Sequence, residues 1–426
     1  MIWTLALLPL ALFVLGFPVY IVLLAAGAAT LAFTMNTPPL VLHQILYGGV
    51  ENYALLAVPF FIFAGELMSR GGVSDRLVLW VSSFSGRFAG GLGLTTIGTA
   101  TLMGAVSGSS PATVAATGKA LYPDLLKAGY ARSSALGLIV SSGSVAIVIP
   151  PSIAMILYGA SAEQSIPKLF MAGLFPGLLI SAMMALYVLF LVRRGAGPAA
   201  AKSNGAAADG FLRATWQALG ALCLPVIVLS GIYLGLFSPT EAGGVACFYA
   251  IVLIRYAYRS MTWQQILEAA SEAAFLSGQI LVIVASAAVF SWVLTVQGIP
   301  QSLIAWVADA QMTPVVFLLA INLILLVLGC FIDPTSAILV LTPILIPIVQ
   351  NLGIDPIHFG VVMTVNLSIG MFTPPFGLNI FVAQSVLGAE IWDVCRGVLG
   401  FFLVQVAALL LITYLPEISL WLVGFY

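Results

Sequence analysis

From Gly104 to Gly118 the chain reads GAVSGSSPATVAATG, and Ser107, Gly108, Ser109, Ser110 and Pro111 sit in its middle, inside a run without charge from Arg87 to Lys119. Pro111 removes a backbone N–H and clashes with the preceding turn. Gly108 takes positive φ without steric cost. Together they predict a helix broken into two arms, a hairpin whose tip stops within the apolar run. Backbone exposed at membrane depth is tolerated only where protein buries it or where it lines a cavity. Serine hydroxyls and freed carbonyls are hard oxygen ligands, suited to a small hard cation. A kinked helix packed through Gly104 and Gly108 is the plainer alternative.

Further along, Gly329 to Pro343 reads GCFIDPTSAILVLTP, with Asp333 among apolar residues. An aspartate at the centre of a bilayer costs about 2.5–3.5 kcal/mol on insertion scales. Such a residue marks an ion or substrate path more often than not. Pro334 opens the next helix, and Thr335 and Ser336 add hydroxyls. Asp-Pro is also a good helix start, so a plain capping role stays open. Each of these segments is followed by a second interruption. Ser141 to Ser152 reads SSGSVAIVIPPS and Asn366 to Asn379 reads NLSIGMFTPPFGLN. The double prolines end or unwind a helix and drive the preceding residue to extended geometry. Gly143 and Gly370 lie a few residues before them. Ser144, Asn366, Thr373 and Asn379 supply polar side chains, and half-helix N-termini favour an anionic group. Pro-kinked helices without a ligand role are the competing reading.

The rest of the chain sets these segments in a membrane. Its 426 residues are 62% hydrophobic and 7% charged, with 14 basic and 15 acidic residues. Soluble domains run at about 45–50% apolar and about 25% charged. A soluble enzyme, a disordered chain and a nucleic-acid binder with its basic face are excluded. No Asp, Glu, Lys or Arg precedes Glu51, and other charge-free gaps run from Arg132 to Glu163, Arg213 to Glu241, Glu272 to Asp309 and Asp355 to Glu390. Each gap can hold at least one helical span of about 20 residues. A β-barrel would instead alternate in segments of about 10 residues. The apolar N-terminus lacks a positive n-region and is read as the first membrane segment, not as a signal peptide. Pro38–Asn52 and Thr262–Glu272 read as amphipathic interfacial helices.

Arg193 to Arg213, RRGAGPAAAKSNGAAADGFLR, breaks the apolar pattern and reads as a linker. Its basic excess places it in the cytoplasm, with Arg255 and Arg259 on the same side. It separates residues 1–192 from 214–426, and the two parts resemble each other. With a shift of 224, Pro123 falls on Pro347, Gly129 on Gly353 and Pro150-Pro151 on Pro374-Pro375, and with a shift of 226 Gly72 falls on Gly298 and Trp80 on Trp306. Paired halves with Gly/Pro-interrupted apolar segments at matching places are the signature of a secondary transporter. An odd number of spans per half would make the repeats inverted. The fold class expected is all-α: a polytopic membrane protein of two repeats, each with a re-entrant hairpin and a broken helix.

The remaining chemistry-bearing residues are sparse. Cys223, Cys247, Cys330 and Cys395 stand apart in apolar stretches and read as small buried hydrophobes, so no transition metal is expected. His43 and His358 are isolated, and His358, just after Pro356, reads as interfacial. Glu66, Arg70, Asp75 and Arg76 flank a Gly-Gly turn and read as ordinary interface charges. No Ser/His/Asp set, HExxH or Walker loop is present, which argues against an enzyme and against ATP hydrolysis.

GAVSGSSPATVAATG, followed by ALYPDLLKAGY and VIPPS, resembles the large membrane subunit of the TRAP (tripartite ATP-independent periplasmic) transporters. DPTSAILVLTPILIPIV, LGIDPIHFGVV and FTPPFGLNIFV are similar to the same family, and the resemblance covers essentially the whole chain. It implies symport of a small organic anion, usually a carboxylate, with sodium, across the bacterial inner membrane. It implies a periplasmic binding protein that delivers the substrate and a separate small membrane subunit of about four helices. It implies an elevator, with hairpins and broken helices sliding against a scaffold, and no cofactor beyond the coupling ions. Carried onto this chain, sodium would be held by Ser107, Gly108, Ser109 and Ser110 facing Gly143, and by Gly329, Asp333 and Thr335 facing Gly370 and Thr373. Substrate would meet Ser110, Pro111, Ser144, Thr335, Ser336, Asn366 and Asn379. A stand-alone sodium/dicarboxylate carrier of related hairpin architecture and a channel or structural membrane subunit are the rival readings.

Overall fold

The computed structural model describes residues 3–35, 37–194 and 208–426. Among these the chain is helical, with no strand. The first half holds α1 (Leu8–Val14), α2 (Val19–Phe33), α3 (Pro39–Val50), α4 (Ala57–Arg70), α5 (Val73–Ser85), α6 (Gly91–Ser107), α7 (Ser110–Lys127), α8 (Arg132–Ser144), α9 (Ile153–Ala162) and α10 (Ile166–Arg193). The second holds α11 (Ala208–Tyr233), α12 (Pro239–Val252), α13 (Trp263–Val296), α14 (Ile299–Asp309), α15 (Pro314–Gly329), α16 (Pro334–Asn351), α17 (Pro356–Gly370), α18 (Leu378–Leu387), α19 (Ile391–Tyr414) and α20 (Glu417–Leu420). Seven helices among the described residues are long and apolar enough to cross a membrane.

The repeat is visible element by element. α7 and α16 are both 18 residues long and start 224 residues apart, at Ser110 and Pro334. α9 and α18 are both 10 residues long and start 225 apart, at Ile153 and Leu378. Between α8 and α9, and between α17 and α18, the chain unwinds around a cis Pro–Pro bond. The matched helices α10 and α19 run antiparallel. The Tyr187 and Phe401 rings meet edge to face with centroids 5.1 Å apart, Met184 meets Gln405, and Phe175 meets Trp421, just past α20. Equivalent helices pointing in opposite directions make the two repeats inverted.

Local chemistry explains the breaks. Gly108 ends α6 with φ of 59°, and a side chain there would lie 2.6 Å from the carbonyl oxygen of Pro151. Both the left-handed backbone and the close approach require glycine. Asp333 caps α16 by accepting from the backbone N–H and the hydroxyl of Ser336 at 3.0 and 2.7 Å, the usual use of an aspartate before a helix-opening proline.

Several expectations are corrected. Thr262 does not open a separate interfacial helix. With Gln265 it forms a capping box on α13, which continues unbroken for 34 residues, whereas α3 and α4 are parted at Glu51 and Asn52. His358 is not interfacial but buried, 2% exposed, with Nε2 3.1 Å from the carbonyl oxygen of Thr413. Residues 195–207 of the expected linker lie outside the described residues, and α11 begins at Ala208, before the expected boundary. Cys247 and Cys330 are buried, while Cys223 and Cys395 are half-buried.

Candidate functional site

The two hairpin tips meet. Ser107 to Pro111, from the α6–α7 turn, and Asp333 to Ser336, from the α15–α16 turn, line one cavity of about 490 Å³. α4 closes it with Ile62, Gly65 and Glu66, and α13 with Leu276, Gln279, Ile280 and Ile283. Ile147 and Met371, from the two unwound stretches, also line it, as do Pro18 to Tyr20 at the start of α2 and Ile153 and Leu378 at the starts of α9 and α18. Thus residues more than 220 positions apart converge because the tips of the two hairpins meet at one cavity.

At the first tip the oxygens are clustered. Ser107 Oγ lies 3.2 Å from Thr113 Oγ1, the Thr113 hydroxyl donates to the Ser109 carbonyl at 2.9 Å, and the Ser109 N–H donates to Ser107 Oγ at 3.3 Å. Thr113 belongs to this cluster and was missed in the sequence, where it reads as one more small helix residue. Ser110 is fully buried and tied to the other repeat. Its hydroxyl is 3.1 Å from Asn379 Oδ1 and 2.8 Å from Asn379 Nδ2, which also donates to the Val140 carbonyl. At the second tip the Asp333 carboxylate faces the cavity while holding Ser336.

The remaining candidate residues lie behind the lining. Gly143 is still helical, within α8, and packs on Val114; unwinding starts at Val145. The residue that matches Gly370 in the first half is therefore Ala146, which packs on Gly104 as Gly370 packs on Gly329. Ser144 is fully buried and bonds the Ser141 carbonyl and Gln405 Oε1 of α19. Asn366 is fully buried and donates to the carbonyl and side-chain oxygens of Asn322, while Asn322 donates to Thr413. Both side chains join helices and neither lines the cavity, while Asn366 Oδ1 is buried without a hydrogen-bond partner. Thr373 donates to the Ile369 carbonyl at 2.7 Å. Asn379 reaches the cavity only through Ser110.

Glu66 is the residue the sequence reading placed elsewhere. It lines the cavity and takes the Arg70 Nε at 2.5 Å, and the same guanidinium also pairs with Glu272 of α13. Gly65 lets α4 approach the first tip: a Cβ there would lie 2.8 Å from the Ser107 carbonyl oxygen. Among the described residues no cluster of His, Cys, Asp and Glu is arranged to hold a metal ion.

Inverted helical repeats whose re-entrant tips bring hydroxyls and a carboxylate to one shared, largely apolar cavity define a membrane transporter. The sequence pattern of the family described as "Tripartite ATP-independent periplasmic transporter, DctM component" matches residues 6–418. The chain is 39% identical over 375 residues to the C4-dicarboxylate TRAP transporter large permease of Pseudomonas aeruginosa, covering 88% of this chain and 87% of that one. It is 38% identical to the ectoine/5-hydroxyectoine TRAP transporter large permease of Ruegeria pomeroyi, covering 98% of both. It is also 38% identical to the isethionate TRAP transporter permease of Oleidesulfovibrio alaskensis over 96% of this chain, which spans 64% of that longer protein. In fold it resembles the Alcanivorax borkumensis YdaH transporter, with a TM-score of 0.64 and 18% identity over 98% of each chain. The chain belongs to the TRAP transporter large permease family, and it is a multi-pass protein of the inner membrane.

Proposed function

We propose that this chain carries out sodium-coupled symport of a small organic anion of the carboxylate type. A periplasmic binding protein delivers the substrate, and a small four-helix membrane subunit supports the large one. The observation that carries the reading is the single cavity shared by the tips Ser107–Pro111 and Asp333–Ser336. Sodium would take hydroxyl and carbonyl oxygens at Ser107, Ser109 and Thr113 on one side and Asp333 and Thr335 on the other. The relatives' names support a small organic acid: the C4-dicarboxylate and ectoine permeases, at 39% and 38% identity, name substrates with a carboxylate, and the isethionate permease, at 38%, names a sulfonate. Bringing a carboxylate to mid-membrane is costly unless cations neutralise it. Two bound sodium ions would do so, and would disfavour movement of a half-loaded carrier.

The elevator part of the proposal assigns the hairpins and broken helices to a sliding body, with α4 and α13 in the scaffold it slides against. By the positive-inside rule Arg255 and Arg259, just before α13, would put the start of α13 and the adjoining end of α4 in the cytoplasm. The Gly71 carbonyl, at the end of α4, accepts from the Ser260 hydroxyl beside Arg259. On that reading the Glu66 side of the cavity would lie toward the cytoplasm, and we read this conformation as inward-facing.

The test is uptake into proteoliposomes containing the chain and its small membrane partner. Labelled carboxylates are offered with and without the binding protein, under an inward sodium gradient. Uptake that needs both sodium and binding protein is expected. Uptake without the binding protein would instead make the protein a stand-alone carrier, and sodium-independent flux would remove the coupling.

A further inference from the structure

We infer that an anionic phospholipid is bound where the α4–α5 turn meets the joint of α12 and α13, its phosphate held by Arg76, Arg255 and Arg259. This goes beyond the transport reading and takes from it only the cytoplasmic placement of the joint. The two connections are locked together. The Ser260 hydroxyl donates to the Gly71 carbonyl at 2.8 Å, and a Cβ on Gly71 would lie 2.6 Å from the Ile254 side chain. Arg76 Nη1 donates to the Gly72 carbonyl at 2.8 Å, and the guanidinium lies 3.6 Å from the centre of the Tyr258 ring. The Tyr258 hydroxyl donates in turn to the Gln217 carbonyl of α11 at 3.2 Å. Arg255 stands three residues before Tyr258, on the π-helical turn Leu253–Ala257 that continues α12, and Arg259 follows it with a left-handed φ of 51°. One braced joint thus carries three guanidiniums.

No carboxylate answers them. Among the described residues the ion pairs are those of Arg70 with Glu66 and Glu272, and of Lys127 with Asp124. Glu66 and Glu272 are therefore engaged by Arg70, and Asp75, exposed on α5, pairs with none of the three arginines. Arg255 adds an independent observation: its Nε–H is buried and meets no acceptor. A buried donor left unpaired is costly. Phosphate oxygens are the acceptors that a guanidinium fork matches best.

The surroundings select a lipid over a free phosphate or an acidic protein face. Trp216 of α11, Tyr256 and Trp263 are all exposed around the joint, as aromatic residues are at headgroup level. Phe248, Val252 and Tyr256 are exposed at intervals of four residues along α12 and its continuation. They form an apolar track that leads from the guanidiniums toward the hydrocarbon. A phosphate at the arginines with an acyl chain along this track meets both demands. Anionic lipids of the cytoplasmic leaflet are drawn to basic pockets between membrane helices on that side. Once bound, the lipid would tie the α4–α5 turn to the start of α13.

The test uses the chain purified with its small membrane subunit and delipidated in an uncharged detergent. Thermal unfolding is followed while dioleoylphosphatidylglycerol, dioleoylphosphatidylcholine or inorganic phosphate is added. Phosphatidylglycerol is expected to stabilise the complex at a concentration at least about tenfold below phosphatidylcholine, and inorganic phosphate to leave it unchanged. Arg255→Gln and Arg259→Gln should each weaken the phosphatidylglycerol effect about fivefold, Arg255→Lys should largely keep it, and Arg193→Gln, at the far end of α10, should not alter it. Equal action of the two lipids, or a preference that survives in both glutamine variants, overturns the site. Stabilisation by inorganic phosphate as strong as by lipid makes it a free-anion site and overturns the lipid. If wild type shows no lipid preference and Arg255→Gln sheds the small subunit in gel filtration, the joint is a subunit contact instead.

Discussion

Gly370 and Gly329 meet where the second hairpin crosses the broken helix, and replacing Gly370 with alanine tests how tightly that crossing is built. A Cβ on Gly370 would lie 2.5 Å from the backbone carbonyl carbon and α-carbon of Gly329 and 2.6 Å from its oxygen. Carbon atoms in contact settle about 3.5–4.0 Å apart, so α15 and α17 must separate by about 1 Å. Overpacking a formed core costs about 1–3 kcal/mol. Here the obstacle is backbone on both sides and no rotamer can relieve it, so the upper end applies. About 3 kcal/mol is roughly a hundredfold in an equilibrium constant. The assay is thermal unfolding of purified Gly370→Ala beside Gly278→Ala. Gly278 lies in the interior of α13 with nothing within 4 Å of its would-be Cβ, and removing glycine from a helix interior gains about 0.5–1 kcal/mol. Gly370→Ala should therefore unfold at a clearly lower temperature than wild type, and Gly278→Ala at the same or a higher one. Gly329→Ala, whose Cβ would approach Gly370 Cα only to 3.1 Å, should fall between them. If Gly370→Ala unfolds at or above the Gly278→Ala temperature, the two helices are not locked at this crossing and the argument fails.

Asp333→Asn keeps an oxygen to cap Ser336 but loses the charge, so it should raise the half-saturating sodium concentration by about tenfold, near 1.4 kcal/mol. Uptake against a sodium titration measures this, and an unchanged curve takes Asp333 out of the coupling. Ser110→Ala removes the hydroxyl that bridges to Asn379, leaving a buried amide short of a partner at a cost of about 1–3 kcal/mol. Its unfolding temperature should drop, and an unaltered one would show that the bridge is not stabilising. Asp355 accepts from the N–H groups of Ile357 and His358 at the start of α17. Asp355→Ala should cost about 1 kcal/mol and Asp355→Asn much less. Equal losses in the two variants would mean that charge, not capping, is at work.

The hairpin tips and both unwound stretches were legible because backbone chemistry writes them locally. Gly108, Pro111, Pro334 and the paired prolines each forbid a continuous helix wherever they stand, and a charge-free surround says at what depth. The role of polar side chains was less legible. Ser144 and Asn366 sit beside breaks and look like ligands, but their partners Gln405 and Asn322 lie 261 and 44 residues away. No local pattern records such a partner. Glu66 was hidden for the opposite reason. With Arg70 four residues on, it reads as an ordinary surface pair of a helix. Only the packing of Gly65 on the first tip turns that face toward the cavity. The clue available in the sequence was a small residue next to a charge near the end of an apolar helix.

The two repeats share a backbone plan and divide the chemistry. Ser109 and Asp333 hold the same place, one residue before a helix of 18 residues, yet one presents a hydroxyl and the other a carboxylate. Ser110, which follows the first, is bridged to Asn379 of the opposite repeat, whereas Pro334 at the matching position has no side-chain donor and no N–H. Inversion brings these unlike tips face to face. A symmetric pair of tips would offer a substrate the same polarity at both ends. These tips offer an open helix N-terminus at one and a filled, acidic one at the other. The orientation of an asymmetric substrate can thus be set by the protein's own asymmetry. It follows that Ser109→Asp, which would copy the second tip onto the first, should close the open N-terminus and abolish binding of any carboxylate while sparing the fold. Retained carboxylate binding in that variant would place the anion elsewhere in the cavity.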